Sequence, residues 1–248
     1  MSKYLIFNAD DFGASTGVNR GILECHTQGV VTSASMMVTG RAVEEAVSIT
    51  RDYPDLAIGL HWDVWGEDER EFDIENIPAV RNEFHRQIDE FHRLMGRLPT
   101  HIDSHRHAHR EDHLMPVFRE LVEPLGVPLR DDGRVNFVGG FYAQWEWMVT
   151  NLDYVSVETL QRMLQEEVPE GWTEFSCHPG YRSPDYESVY LEEREAELCT
   201  LRDPRVRQTI DELGIKLVSY ADYAATIQTA RAAPSNGSAQ PNIASLAQ

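Results

Sequence analysis

The chain is short of positive charge, of cysteine and of long apolar runs, and each shortage excludes something. Its 248 residues carry 22 Lys plus Arg against 41 Asp plus Glu, a net charge of -19. So acidic a protein repels nucleic acid and anionic membrane surfaces and disfavours polyphosphate ligands, which leaves small neutral substrates as the expected partners. The three cysteines, Cys25, Cys177 and Cys199, are far apart and form no Cys-x-x-Cys pair. That usage fits inert free thiols in a reducing cytosol rather than a disulfide framework. No segment approaches the roughly 20 apolar residues of a membrane span, and the first apolar run is too short for a secretory signal. A cytoplasmic protein is expected, its oligomeric state open and a homodimer allowed.

What the chain does have is alternation. Short apolar runs and helical patterns follow one another, the signature of βα units around a parallel sheet. Strands are expected at residues 4–9, 30–38, 56–62, 101–105, 127–130, 173–177 and 216–220. Helices are expected at 17–27, 41–51, 114–125, 157–167 and 191–213, the last broken at Pro204. Val80, Phe84, Ile88, Phe91 and Met95 recur every three or four residues, the stripe of an amphipathic helix. Residues 66–75 are acidic and aperiodic, as befits a loop over one mouth of the domain, and aromatic residues crowd 137–147. One α/β domain over residues 1–230 is expected, with about seven strands, followed by a disordered tail at 231–248 rich in Ala, Pro, Ser, Asn, Gly and Gln.

The segment His101-Ile102-Asp103-Ser104-His105-Arg106-His107-Ala108-His109 is the most polar of the strand candidates. In an extended strand its four imidazoles and Asp103 fall on one face. Packing has no use for such a face, whereas His and Asp ligate borderline metals and move protons near neutral pH. It reads as half of a metal centre. The other half is sought at the carboxyl ends of strands, where parallel α/β folds build their sites. There Asp10 and Asp11 close the first strand, His61 the third, His105 the fourth, Arg130 the fifth and His178 the sixth. Adjacent carboxylates repel unless a cation or proton offsets them, so a metal ligand beside a base is coherent, although Asp10-Asp11-Phe12-Gly13 taken alone also fits a turn with a helix cap. Asp103, His107 and His109 can orient a ligand imidazole or touch substrate. His178, followed by Pro179 and Gly180, suits a general acid, or else a cap or a buried hydrogen bond. His26, His85, His92, His101 and His113 read as structural or solvated.

Several of these stretches, in order, resemble the YdjC-like, ChbG-type carbohydrate deacetylases: Asn8-Ala9-Asp10-Asp11-Phe12-Gly13, Val31-Thr32-Ser33, Ala57-Ile58-Gly59-Leu60-His61, Pro99-Thr100-His101-Ile102-Asp103-Ser104-His105, Leu129-Arg130 and Cys177-His178-Pro179. The resemblance implies an irregular seven-stranded (β/α) barrel related to the polysaccharide deacetylases. It makes Asp11, His61 and His105 the ligands of one divalent ion and Asp10 the base. Two imidazoles and a carboxylate suit Zn2+, with Mg2+ or another divalent ion the alternative. The activity implied is hydrolysis of an N-acetyl group on an amino sugar, His178 protonating the leaving nitrogen and Arg130 keeping Asp10 ionised. Substrate contacts are expected from Asp103, His107, His109 and Trp62. Two departures stand out: Arg106 occupies a place where members commonly carry a third His, and residues 62–79 and 131–156 match nothing in the pattern. Those segments are expected to build the pocket rim and to set the sugar accepted. The alternatives are another amide or lactam hydrolase on the same barrel and a catalytically silent metal or sugar binder.

Overall fold

The computed structural model describes residues 2–66 and 71–232, and in it parallel strands alternate with helices along the chain. In order these are β1 (Lys3–Phe12), α1 (Thr16–Gln28), β2 (Ser33–Met36), α2 (Val43–Asp52), β3 (Ala57–Trp62), α3 (Ile77–Met95), β4 (Ile102–Ser104), α4 (Met115–Val122), β5 (Asn136–Val138), α5 (Val157–Glu166), β6 (Gly171–Cys177), α6 (Glu192–Leu201), α7 (Pro204–Glu212), β7 (Ile215–Leu217) and α8 (Tyr220–Ala232). The seven strands form one sheet in the order β4-β3-β2-β1-β6-β5, with β7 paired to residues 3–5 of β1. Among the described residues no ladder joins β4 to β5; Leu129 instead bridges Ile102 beside β4. The result is the expected α/β architecture, an irregular seven-stranded (β/α) barrel.

Burial explains why the apolar runs become strands. All of β2, all of β3 and residues 5–12 of β1 are buried, so these segments are enclosed on both faces, as parallel strands usually are. On α3, Val80, Phe84, Ile88 and Phe91 face the core while His85 and His92 are exposed. Asn76 caps that helix by accepting from Ala79 N–H at 3.2 Å, and Gly96 ends it in the left-handed region. Cys25 and Cys177 are buried and Cys199 is exposed, all three as free thiols.

Four expectations need correction. The strand expected at 127–130 is a single bridge at Leu129, because Pro128 has no N–H to donate and Asp131 turns the chain at φ 55. The fifth strand lies at Asn136–Val138, too short to show a period in sequence. The polar strand stops at Ser104, and His105–Arg110 form a 3-10 turn with Arg106 and His107 at positive φ. Ser104 drives this change: its Oγ accepts His109 N–H at 2.9 Å and meets His109 Nδ1 at 2.6 Å. The five polar side chains of 101–109 therefore do not share one face. Finally, α8 continues to Ala232, so the tail does not begin at 231; residues 233–248, like 67–70 of the acidic loop, lie outside the described residues.

His101 is structural. Its ring stacks on Tyr220 with centroids 3.9 Å apart, in a space that a Cβ on Gly59 would invade at 2.4 Å. His109 is equally buried, bonded through Nδ1 to Ser104 and through Nε2 to the Arg130 carbonyl at 3.2 Å. Burial pushes both rings down to about 3, so both stay neutral in the folded chain. The unfolded chain takes up protons below about 6.5 while these rings do not, so the stability they confer is complete above that pH and lost as pH falls toward 3. Urea unfolding is expected to show stability decreasing from pH 7 to pH 5, and His109→Gln to flatten that slope by at most about 1.4 kcal/mol per pH unit. An identical slope in the variant contradicts this assignment.

Candidate metal centre and active site

Parallel strands bring all their carboxyl ends to one side, and the polar residues singled out in sequence collect there. In a regular strand Asp10 and Asp11 would point to opposite faces. Asp11 instead has φ 68, and the pairing of β1 with β2 shifts between Ala9 and Phe12. This bulge lets both carboxylates line the same cavity. The pair therefore lies inside the strand, not on the turn after it.

His61 and Asp103 are register partners on β3 and β4, so their side chains stand side by side, with His61 Nδ1 2.6 Å from Asp103 Oδ1. The other ring nitrogen, Nε2, lies 3.2 Å from Asp11 Oδ1, and His105 Nδ1 lies 3.2 Å from the same oxygen. All three side chains are buried. A neutral His61 that donates through Nδ1 must turn its Nε2 lone pair toward the Asp11 carboxylate. Two lone pairs at that distance require a proton or a cation between them. Burial opposes a charged His61, but Asp103 and Asp10 outweigh it and hold its pKa well above the usual imidazole value. One carboxylate and two imidazoles, buried and converging, fit a borderline divalent ion. A second cluster, Asp10, His61 and Asp103, is close enough to chelate, but there Arg130 already supplies the positive charge.

Arg130 is fully buried and grips Asp10 with two parallel bonds, Nη1 to Oδ2 at 2.8 Å and Nη2 to Oδ1 at 2.7 Å. It also meets Asp103 Oδ2 and Glu174 Oε1, each at 2.8 Å. Burial by itself would raise the Asp10 pKa, but Arg130 holds it below the usual carboxylate range. Glu174 is pushed up to about 7 by burial despite Arg130. Asn8 and Ser35 complete the floor: Asn8 Nδ2 donates to Asp10 Oδ1 at 3.0 Å, and Ser35 Oγ donates to Asp103 Oδ2 at 2.5 Å.

His178 follows β6 directly. Its Nε2 is 3.8 Å from Asp10 Oδ2 and its Nδ1 is 3.7 Å from Glu197 Oε1. Burial disfavours its charge, but Glu197 wins and raises its pKa. Two groups on α6 were not anticipated from sequence. Arg194 Nη2 donates to Asp11 Oδ2 at 2.6 Å, and Glu197 accepts the His178 backbone N–H as well as Tyr190 OH. The available signal was a lone Arg in Glu192-Glu193-Arg194-Glu195-Ala196-Glu197, which a solvated acidic helix does not need.

A cavity of about 930 Å³ opens onto this cluster, lined by Asp10, Asp11, His61, His105, His107 and His178 among others. Arg106 and Tyr142 line it too. Three expected substrate contacts do not reach it. Trp62 is wholly buried, packed edge-on against Phe118 at 5.2 Å, because its place on β3 turns it into the core. Asp103 is sealed beneath His61, and His109 is locked behind Ser104 and Arg130.

Residues 4–212 match the profile of the YdjC-like protein family. A chitooligosaccharide deacetylase of Serratia marcescens is 31% identical over 90% of this chain and 100% of its own length. A carbohydrate deacetylase of Geobacillus stearothermophilus is 33% identical over 90% of this chain and 99% of its own. Among solved structures, an Enterococcus faecalis V583 protein described as a cellobiose-phosphate cleavage protein superposes with a TM-score of 0.79 at 29% identity, covering 90% of this chain and 99% of that one. A family 4 carbohydrate esterase of Streptomyces lividans shares the fold at 13% identity, with a TM-score of 0.54 over 87% of this chain and 91% of that one.

Removing Arg130 strands buried carboxylates without a counter-charge, a change that typically lowers stability by about 3–5 kcal/mol. Arg130→Met is expected to show a loss of that size in chemical denaturation. A loss below about 1 kcal/mol contradicts the role given to the guanidinium.

Proposed function

The chain belongs to the YdjC-like protein family, and on that premise we propose that it is a metal-dependent carbohydrate N-deacetylase, hydrolysing the N-acetyl group of an amino sugar or short N-acetylated oligosaccharide with water as nucleophile. The observation that carries the reading is the convergence of Asp11, His61 and His105 within one cavity that Asp10 and His178 also line. The names of the two relatives support it. Asp11, His61 and His105 would hold the ion, zinc by the donor set, which when bound supplies a Lewis acid for the acyl oxygen and acidifies water.

The remaining work falls to the chain itself. Asp10 Oδ2 takes the proton from the attacking water. Arg130 keeps that carboxylate ionised, and Asn8 helps fix its orientation. His178 Nε2, close to the same Oδ2, donates a proton to the leaving nitrogen, and Glu197 behind it favours the protonated ring and raises its pKa. Asp103 fixes the His61 tautomer, and Arg194 occupies Asp11 Oδ2 so that Oδ1 is left for the imidazoles.

Acetate release from N-acetylglucosamine oligomers tests the assignment. Asp11→Ala is expected to abolish turnover and zinc uptake together, while Asp10→Asn still binds zinc but loses about 10²- to 10⁴-fold in kcat. Undiminished activity in metal-stripped protein would defeat the proposal. The pH profile provides a second check. An acid catalyst works only while protonated, so with the His178 pKa raised, activity persists through pH 6.5 and falls on the alkaline side. In His178→Ala that alkaline limb disappears along with most of kcat, and a variant retaining it removes His178 from the mechanism.

A further inference from the structure

Beyond the reacting centre, the cavity rim carries aromatic groups that hydrolysis leaves without a task. Trp145 is 63% exposed, Trp147 69% and Met148 64%. Single exposed apolar residues are ordinary, but three within four positions make a patch, and patches of this kind mark binding surfaces. Both tryptophans also line the cavity.

Their presentation is built in. Val149 N–H donates to Glu146 O at 3.0 Å across an antiparallel bridge, with Met148 at φ 58 between them. The stems of this tip are tied to the barrel: Asn151 N–H donates to Ala143 O at 2.9 Å, Ala143 N–H to Tyr190 OH at 2.8 Å, and Gln144 Nε2 to Val189 O at 2.9 Å. Gln144 and Thr150 both bond Glu193, which is buried on α6. Beneath the tip, Tyr142 meets Trp145 nearly at right angles with centroids 6.5 Å apart, and meets His178 at 5.6 Å. Aromatic surface thus continues from the solvent-exposed tip to the group assigned as the acid.

A pyranose has an apolar face of C–H groups ringed by hydroxyls. A flat indole suits that face, and Glu187 and Ser188, which also line the cavity, offer acceptors to the hydroxyls. We propose that Trp145 and Trp147 form an outer sugar platform that holds a pyranose unit remote from the one whose acetyl group reacts. This deepens the deacetylase reading and rests on it. It also gives a task to part of 131–156, a segment in which the sequence shows no recognisable motif.

The test uses β-1,4-linked glucose oligomers of one to four units, neutral and without an acetyl group, titrated calorimetrically into the full chain. Affinity is expected to rise with length, and the trimer-to-monomer affinity ratio to fall about 3- to 10-fold in Trp145→Ala and Trp147→Ala, with Trp147→Phe retaining most of it. Affinity that does not depend on length, or alanine variants that keep the ratio, overturn the platform. A change in sedimentation mass of the unliganded alanine variants also overturns it, by making the patch an interface between copies. If length-dependent, tryptophan-dependent binding is seen but no acetylated sugar releases acetate, the platform stands and the deacetylase reading falls.

Discussion

The buried Arg130 guanidinium, shared by Asp10, Asp103 and Glu174, is the interaction on which the site depends. Without it three carboxylates would face one another where water cannot screen them. With it, Asp10 stays ionised and Asp103 is free to receive His61 Nδ1. That contact fixes which imidazole nitrogen looks toward Asp11. One cation therefore sets the charge of the group assigned as base and, through Asp103, the tautomer of a candidate metal ligand. Glu174, pushed up to about 7 and bonded by Tyr220 at 2.5 Å, can carry a proton near neutral pH and so relieve the crowding.

The opposite side of the cavity is arranged in the same way by α6. Arg194 offsets Asp11 as Arg130 offsets Asp10, and Glu197 raises the His178 pKa while also holding its backbone. Asp10, Asp11 and Asp103 together face two guanidinium groups, so the buried cluster is short of positive charge. A proton on His61 or a divalent ion supplies it. Both arrangements use His61 Nε2 and Asp11 Oδ1, which is why a strained φ at Asp11 is worth keeping.

Much of this was legible in the sequence because parallel strands declare themselves as apolar runs, and the residue that ends such a run falls at the site. Asp10, His61 and His178 fall in the cavity in that way, whereas Arg130 ends an apolar run that forms only a single bridge. What was not legible depended on backbone departures or long-range contacts. Nothing in Asp10-Asp11 announces a bulge that turns both inward, and strict alternation would have lost one of them. The row of histidines suggested a continuous strand, but the Ser104 hydroxyl redirected the backbone and sent His109 behind the site. Trp62 was expected to touch substrate beside His61, yet neighbours in a strand face opposite ways and it went to the core. Arg194, Glu197 and Glu174 acquire meaning only from partners more than 15 positions away, at Asp11, His178 and Arg130.

The most direct test of the account is anomalous diffraction at the zinc edge from crystals of the metal-loaded protein. The account predicts one peak per chain, about 2.0–2.2 Å from a carboxylate oxygen of Asp11 and from a ring nitrogen of both His61 and His105. A peak among Asp10, His61 and Asp103, with Arg130 displaced, or no ordered ion near Asp11, would contradict it.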